Sequence, residues 1–246
     1  MKRPSYFLVV ATSAIALCIA AIATPAKADS PASRTAMATV SVFQGIPNLG
    51  DDDGDDGIDI YAGRTLLAER LTSGDIATTT MKPGTYSLTV LPHGSAFAPG
   101  TSLLTAPKFR VQANGNYTVA LHLTPTLAST ATVFENETRT VGRDMGRLTV
   151  RNIAQAPSAD IRSRGSVILQ DVRPSSQQDV GLRTGDYRLQ IMRANSRRPL
   201  VPASNHRIVN APGRQDMGDN RILYLWGSAA DGSLELTVQE IPLDLR

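Results

Sequence analysis

Apolar and polar residues alternate along most of this chain with a period of two, the signature of half-buried β-strands, and no convincing 3.6-residue stripe interrupts them after residue 28. Thr39-Val40-Ser41-Val42-Phe43 alternates, then Gly45-Ile46-Pro47-Asn48-Leu49-Gly50 breaks any ladder. Ile58-Asp59-Ile60-Tyr61, Thr65-Leu66-Leu67 and Ile76 to Met81 read as the next strands. Lys82-Pro83-Gly84 turns the chain into the Tyr86 strand, which Pro92 closes. Phe109-Arg110-Val111 and Tyr117 to Leu123 flank Asn114-Gly115 and are predicted to pair as a hairpin. Ala131-Thr132-Val133-Phe134 ends the first series.

The plan then repeats. Leu148-Thr149-Val150, Ala159-Asp160-Ile161, Ser166 to Asp171, the Tyr187 strand, Arg221 to Trp226 and Leu234 to Val238 follow in the same order. Gly84 and Gly185, and Tyr86 and Tyr187, are each 101 positions apart. Short strands separated by regular turn signals predict an all-β protein of two tandem immunoglobulin-like β-sandwich domains, seven strands each. The expected divisions are a signal peptide at 1–28, a disordered lead-in at 29–37, sandwiches at 38–135 and 147–246, and a polar linker at 136–146.

The signal peptide follows from Lys2 and Arg3, the apolar run from Phe7 to Ala23, and Ala26-Lys27-Ala28, with cleavage before Asp29. It implies a secreted, periplasmic or cell-envelope protein. The single cysteine, Cys18, would leave with it, so disulfides and thiol chemistry are excluded from the mature chain. No later apolar run reaches spanning length. Loss of Lys2, Arg3 and Lys27 leaves 22 basic side chains against 22 acidic. Residues 29–140 carry 7 basic and 11 acidic groups, residues 141–246 carry 15 and 11. Nucleic acid is not an expected partner, because no basic stripe is present.

At these residues the chain resembles a bacterial family of secreted tandem modules catalogued as domain of unknown function 4397. The resemblance rests on Val40-Ser41-Val42, Ile46-Pro47, Asp59-Ile60-Tyr61 and Lys82-Pro83-Gly84-Thr85-Tyr86-Ser87-Leu88. In the second copy it rests on Val150-Arg151-Asn152, Ala156-Pro157-Ser158-Ala159-Asp160-Ile161 and Gly185-Asp186-Tyr187-Arg188-Leu189, with Thr184 where a proline is usual. It implies an exported β-sandwich and brings no catalytic residues.

Candidate chemistry is sparse. Asp51-Asp52-Asp53-Gly54-Asp55-Asp56-Gly57 packs mutually repelling carboxylates, which calcium would relieve through Asp51, Asp53 and Asp55, with Asp59 as a further ligand. Asp56 stands where the turn glycine of a calcium loop belongs and Ala62 where its last carboxylate belongs, so a solvated acidic loop is the competing reading. Asp59 and Asp160 occupy matching strand starts and suit either backbone capping or binding. Tyr86 and Tyr187 are expected to bury their rings and bond a nearby backbone. Tyr224 and Trp226 share one strand face, which either fills a core or, if exposed, stacks on a sugar. His93, His122 and His206 are scattered, and no H-E-x-x-H or G-x-S-x-G occurs. Arg193, Arg197 and Arg198 form the nearest approach to a basic patch. The function expected is non-catalytic binding of a cell-wall polymer or surface protein through loops. A structural spacer, or a hydrolase with an unrecognised site, are the alternatives.

Overall fold

The computed structural model describes residues 36–50, 57–97, 102–104, 106–139, 141–142, 144–209 and 219–243. The expected signal peptide and nearly all of the lead-in lie outside them. All the described secondary structure is β, in seventeen strands. They belong to one compact unit, Thr35–Arg246.

In the first half, β1 (Ala38–Gln44), β4 (Ile76–Met81), β8 (Asn116–Leu123) and β9 (Ser129–Glu135) form a sheet in the order β4-β1-β8-β9. Facing it are β2 (Ile58–Ala62), β3 (Thr65–Leu71) and β6 (Leu88–Pro92), ordered β3-β2-β6, and the pair β5 (Gly84–Tyr86) and β7 (Phe109–Val111). The second half repeats this with β10 (Met145–Asn152), β13 (Ser176–Arg183), β16 (Asp219–Trp226) and β17 (Glu235–Pro242) ordered β13-β10-β16-β17. Its facing sheet is β12-β11-β14-β15, from β11 (Ala159–Ser163), β12 (Ser166–Val172), β14 (Gly185–Arg193) and β15 (Ser204–Ile208).

This order departs from the immunoglobulin arrangement, in which the first two strands share a sheet. Here β1 and β2 lie in different sheets, as do β10 and β11. Ile46-Pro47 and Ala156-Pro157 stand in the connections, where proline cannot extend a ladder, and the chain crosses to the facing layer. The vacated edge of β1 takes β8 in parallel register, Val40 beside Tyr117, and β10 takes β16 likewise, Leu148 beside Arg221. That pairing also removes the expected hairpin. Asn114 does turn, at φ 59°, but β7 pairs with β5 while β8 is drawn to β1 and β9.

The halves match in backbone detail. Left-handed positions recur 101 residues apart: Arg70 (φ 49°) and Asp171 (φ 54°), Gly74 (φ 86°) and Ser175 (φ 57°), Gly94 (φ 75°) and Asn195 (φ 55°). The β1–β2 connection spans residues 45–57 and the β10–β11 connection only 153–158, a difference equal in length to the acidic run Asp51–Gly57.

Alternation along the strands builds three apolar layers. Val40, Val42, Val119 and Leu121 pack against Ile58, Ile60 and Val90 in one core. Leu148, Val150, Leu223 and Leu225 pack against Ala159, Ile161, Leu189 and Ile191 in another. The opposite faces of the same inner strands supply a third, with Phe43, Ala120 and Phe134 meeting Ile153, Ile222, Tyr224, Trp226 and Ile241. The two inner sheets therefore stack face to face, and β1, β8, β10 and β16 are covered on both sides.

Candidate functional site

The Tyr224–Trp226 face resolves into this junction. Tyr224 is fully buried and Trp226 nearly so, at 5% exposure, which removes them as an exposed platform for a sugar. Tyr224 stacks on Phe43 at 4.4 Å, and Trp226 meets the same ring edge-on at 6.2 Å. The physical reason is the covered strand: both faces of β16 have a sheet against them.

Polar groups run through the same layer. Arg151 is fully buried and donates from Nε to Gln177 Oε1 at 2.9 Å, from Nη1 to Tyr224 Oη at 2.6 Å and from Nη2 to Asn136 Oδ1 at 2.6 Å. Its guanidinium lies 4.5 Å from the Phe134 ring centre. Tyr224 Oη donates to Gln239 Oε1 at 2.5 Å, and Gln239 Nε2 donates to Ser41 Oγ at 2.8 Å. Burial pulls the Arg151 guanidinium below its ordinary value and pushes the Tyr224 phenol above its own. Among the described residues no carboxylate pairs with Arg151. Asn136, at the start of the expected linker, is itself buried here and donates to Asn116 Oδ1 at 2.7 Å.

Asp59 and Asp160 act as matched backbone clasps. Asp59 accepts from Arg70 N–H at 2.9 Å, Gly94 N–H at 3.3 Å and His93 Nδ1 at 2.9 Å. Asp160 accepts from Asp171 N–H at 3.0 Å and Asn195 N–H at 3.1 Å. Each clasps the turns 11 and 35 residues on, the same spacing in both halves. Burial raises the Asp59 carboxyl, but the bonds from Arg70, His93 and Gly94 together outweigh it and hold the group below its ordinary value. Asp51, Asp53 and Asp55 lie outside the described residues, among which no cluster of three His, Cys, Asp or Glu side chains could hold a metal.

Tyr86 Oη donates to the Lys82 carbonyl at 2.7 Å and Tyr187 Oη to the Arg183 carbonyl at 3.0 Å, the backbone bonds the sequence predicted, but both residues are half-buried where buried rings were expected. The histidines stay apart. His93 closes on Asp59, and His122 Nε2 lies 2.8 Å from Thr132 Oγ1. His206 Nε2 lies 2.7 Å from Ser204 Oγ, with burial and then Arg221 holding its imidazole below the ordinary value. That Ser–His contact has no carboxylate bonded to the imidazole among the described residues, so a catalytic triad is not assembled there.

Four connections of the second half meet at one end: 153–158, 173–175, 194–203 and 227–234. Three of them, 153–158, 194–203 and 227–234, together with the end of β14, line a groove of about 460 Å³ through Pro157, Arg193, Arg198, Leu200, Pro202 and Leu234. A shallower hollow of about 380 Å³ adjoins it through Pro157 and Ala229. The arginines singled out in the sequence are exposed here, whereas the groove's proline and leucine walls gave no periodic signal. A second feature the sequence left unremarked is Tyr61 against Phe97, with rings 5.0 Å apart and Arg64 at 6.0 Å from the Phe97 ring.

A family model described as "Domain of unknown function (DUF4397)" matches residues 38–162, just over half of the 246 residues. No curated protein matches the sequence. Among solved structures, the Bacillus anthracis TIE protein is similar over 77% of this chain and 33% of its own, at 11% identity and a TM-score of 0.22. CBMbc (family CBM26) from Eubacterium rectale Amy13K, solved in complex with maltoheptaose, is similar over 85% of this chain and 98% of its own, at 11% identity and a TM-score of 0.24. The chain thus spans about a third of the first protein's length, and TM-scores this low transfer neither strand order nor site.

Proposed function

The chain belongs to the DUF4397 family, and on that premise we propose that it is a non-catalytic exported protein of the cell envelope or its surroundings. It binds a wall polymer or surface protein through the loops at one end. The observation that carries this reading is the convergence of three connections around a groove whose arginines have no acid partner among the described residues. The halves 38–135 and 147–246 are read as two β-sandwich domains, the first adding an acidic loop whose Asp51, Asp53 and Asp55 take calcium weakly. Asp59 is already committed to three protein donors and supports that site through its strand.

Co-sedimentation of residues 29–246 with purified cell envelopes tests the reading, run with calcium, with chelator and with Asp51–Asp56 replaced. Saturable pelleting supports loop binding, and dependence on calcium and the acidic run assigns the metal as well. An absence of pelleting under every condition overturns it. Millimolar calcium giving no heat in calorimetry removes the metal alone. A second reading, a rigid spacer, is favoured by the buried junction at Arg151, and would be supported by function that survives loop replacement.

A further inference from the structure

The turn over residues 193–198 carries charge that its geometry does not require. Arg193 N–H donates to the Arg198 carbonyl at 2.9 Å, and Met192 bridges Pro199, so the two arginines lie side by side, with Arg197 next along the turn. All three are exposed and none of their guanidinium groups makes an ion pair among the described residues. Like charges on paired segments oppose the pairing.

The first half shows that the backbone needs none of this. At the same 101-residue offset, Pro92, Ala96 and Phe97 stand where Arg193, Arg197 and Arg198 stand. The left-handed residue is kept (Gly94 for Asn195), and so is the aspartate clasp (Asp59 for Asp160). The fold is thus served with or without arginine, and the charge is left over for something else.

The nearby acids do not neutralise it. Asp160 is committed to the backbone donors of Asp171 and Asn195, with Arg162 at 4.0 Å, and Asp231 accepts from Ser233 N–H at 2.9 Å. Glu235 is exposed at the start of β17. The groove walls are Pro157, Pro199, Leu200, Pro202 and Leu234. They offer no aromatic ring for the face of a sugar and no side-chain amide for its hydroxyls. They do offer an apolar floor beside two guanidinium forks, and a guanidinium takes a carboxylate through two parallel bonds.

Building on the loop-end reading above, we infer that this groove takes an extended acidic peptide segment of a surface protein. Carboxylates pair with Arg193 and Arg198, and an apolar side chain lies against Leu200 and Leu234.

The test uses residues 29–246 and a labelled peptide alternating glutamate with leucine, read by fluorescence anisotropy. A glutamine–leucine analogue and polygalacturonate serve as comparison ligands. The expected result is saturable binding of the glutamate peptide, weakened roughly tenfold or more (about 1.4 kcal/mol) in R193E/R198E, with an unchanged melt. R193K/R198K, which keeps the charge and loses the fork, is expected to fall between. Equal binding by R193E/R198E, or by the glutamine analogue, overturns the inference. Polygalacturonate binding where the glutamate peptide does not also overturns it, in favour of an acidic glycan. Envelope pelleting that R193E/R198E leaves intact defeats this inference while sparing the loop-end reading; loss of pelleting by the parent chain defeats that reading itself.

Discussion

Replacing Arg151 by lysine is expected to harm this protein more than replacing it by methionine. Three charge-assisted bonds at about 1.5–3 kcal/mol each give the arginine about 4.5–9 kcal/mol, and its stack on Phe134 adds about 2 kcal/mol. Against this stands the desolvation of an ion with no counter-charge among the described residues, several kcal/mol. The two sides nearly cancel. What holds Arg151 in place is a fork that reaches Gln177, Tyr224 and Asn136 at once. Methionine removes both sides and orphans little, since Asn136 Oδ1 still accepts from Thr118 and Gln177 is open to water. A loss of about 2–3 kcal/mol is expected, about one orphaned acceptor's worth. Lysine keeps the ion and forfeits about two of the bonds, about 3–6 kcal/mol. Its escape is to shed the proton, which from an ordinary value near 10.4 costs about 4–5 kcal/mol at pH 7 and so caps the loss there. Urea denaturation of residues 29–246, followed by Trp226 emission from inside the junction, measures both variants. The lysine form binds fewer protons folded than unfolded, so its deficit should shrink as pH rises from 7 towards 10. A lysine variant as stable as the parent, or more stable than the methionine variant, would refute the reasoning.

Three further outcomes follow from the geometry. Asp59, held below its ordinary value when folded, stabilises the fold above about pH 4 and loses that contribution as pH falls through its lowered value; Asp59→Asn should flatten the acid limb of stability against pH and cost about 1–3 kcal/mol at neutrality. At Gly74 an added Cβ would come within 2.9 Å of the Trp226 ring, so Gly74→Ala should destabilise by about 1–3 kcal/mol, whereas Gly232→Ala, with nothing within 4 Å, should cost less in the same melt. Tyr187→Phe forfeits the bond to the Arg183 carbonyl, about 1 kcal/mol, and should lower the melting temperature by about 2–4 °C; an unchanged melt would make that tyrosine a surface residue.

Period-two patterning located most of the strands because the residues that alternate are the ones the cores bury. It missed β13, whose Ser176-Gln177-Gln178-Asp179 opening is polar, and β15, built on Ser204, Asn205, His206 and Arg207. β13 was recoverable by adding the 101-residue repeat to Ile76–Met81. Strand partners were less legible than strands. The Asn114-Gly115 turn formed as its chemistry demands, but which strands it joins depends on the crossover after β1, a long-range choice that local residues do not encode. The candidate aspartates divide for the same reason. Asp59 and Asp160 were visible as polar residues out of place in strands, while the donors that satisfy them lie 11 and 35 residues away. Tyr224 and Trp226 were visible as aromatic, but their burial depends on the other half of the molecule.

The junction brings equivalent surfaces together, as the two subunits of an isologous dimer do. β17 of one half reaches β1 of the other through Gln239 and Ser41, and β9 reaches β10 through Phe134 and Arg151, the equivalent pair of strands with the halves exchanged. The residues at matching positions on the two surfaces are no longer twins. Phe43 occupies in β1 the place that Arg151 holds in β10, and Ala120 answers Tyr224. A second half meeting its own copy would set one unpaired guanidinium against another, each without the phenylalanine it now lies on. Carrying both surfaces in one chain lets them differ, and the difference makes each half the other's proper mate while disfavouring association with itself.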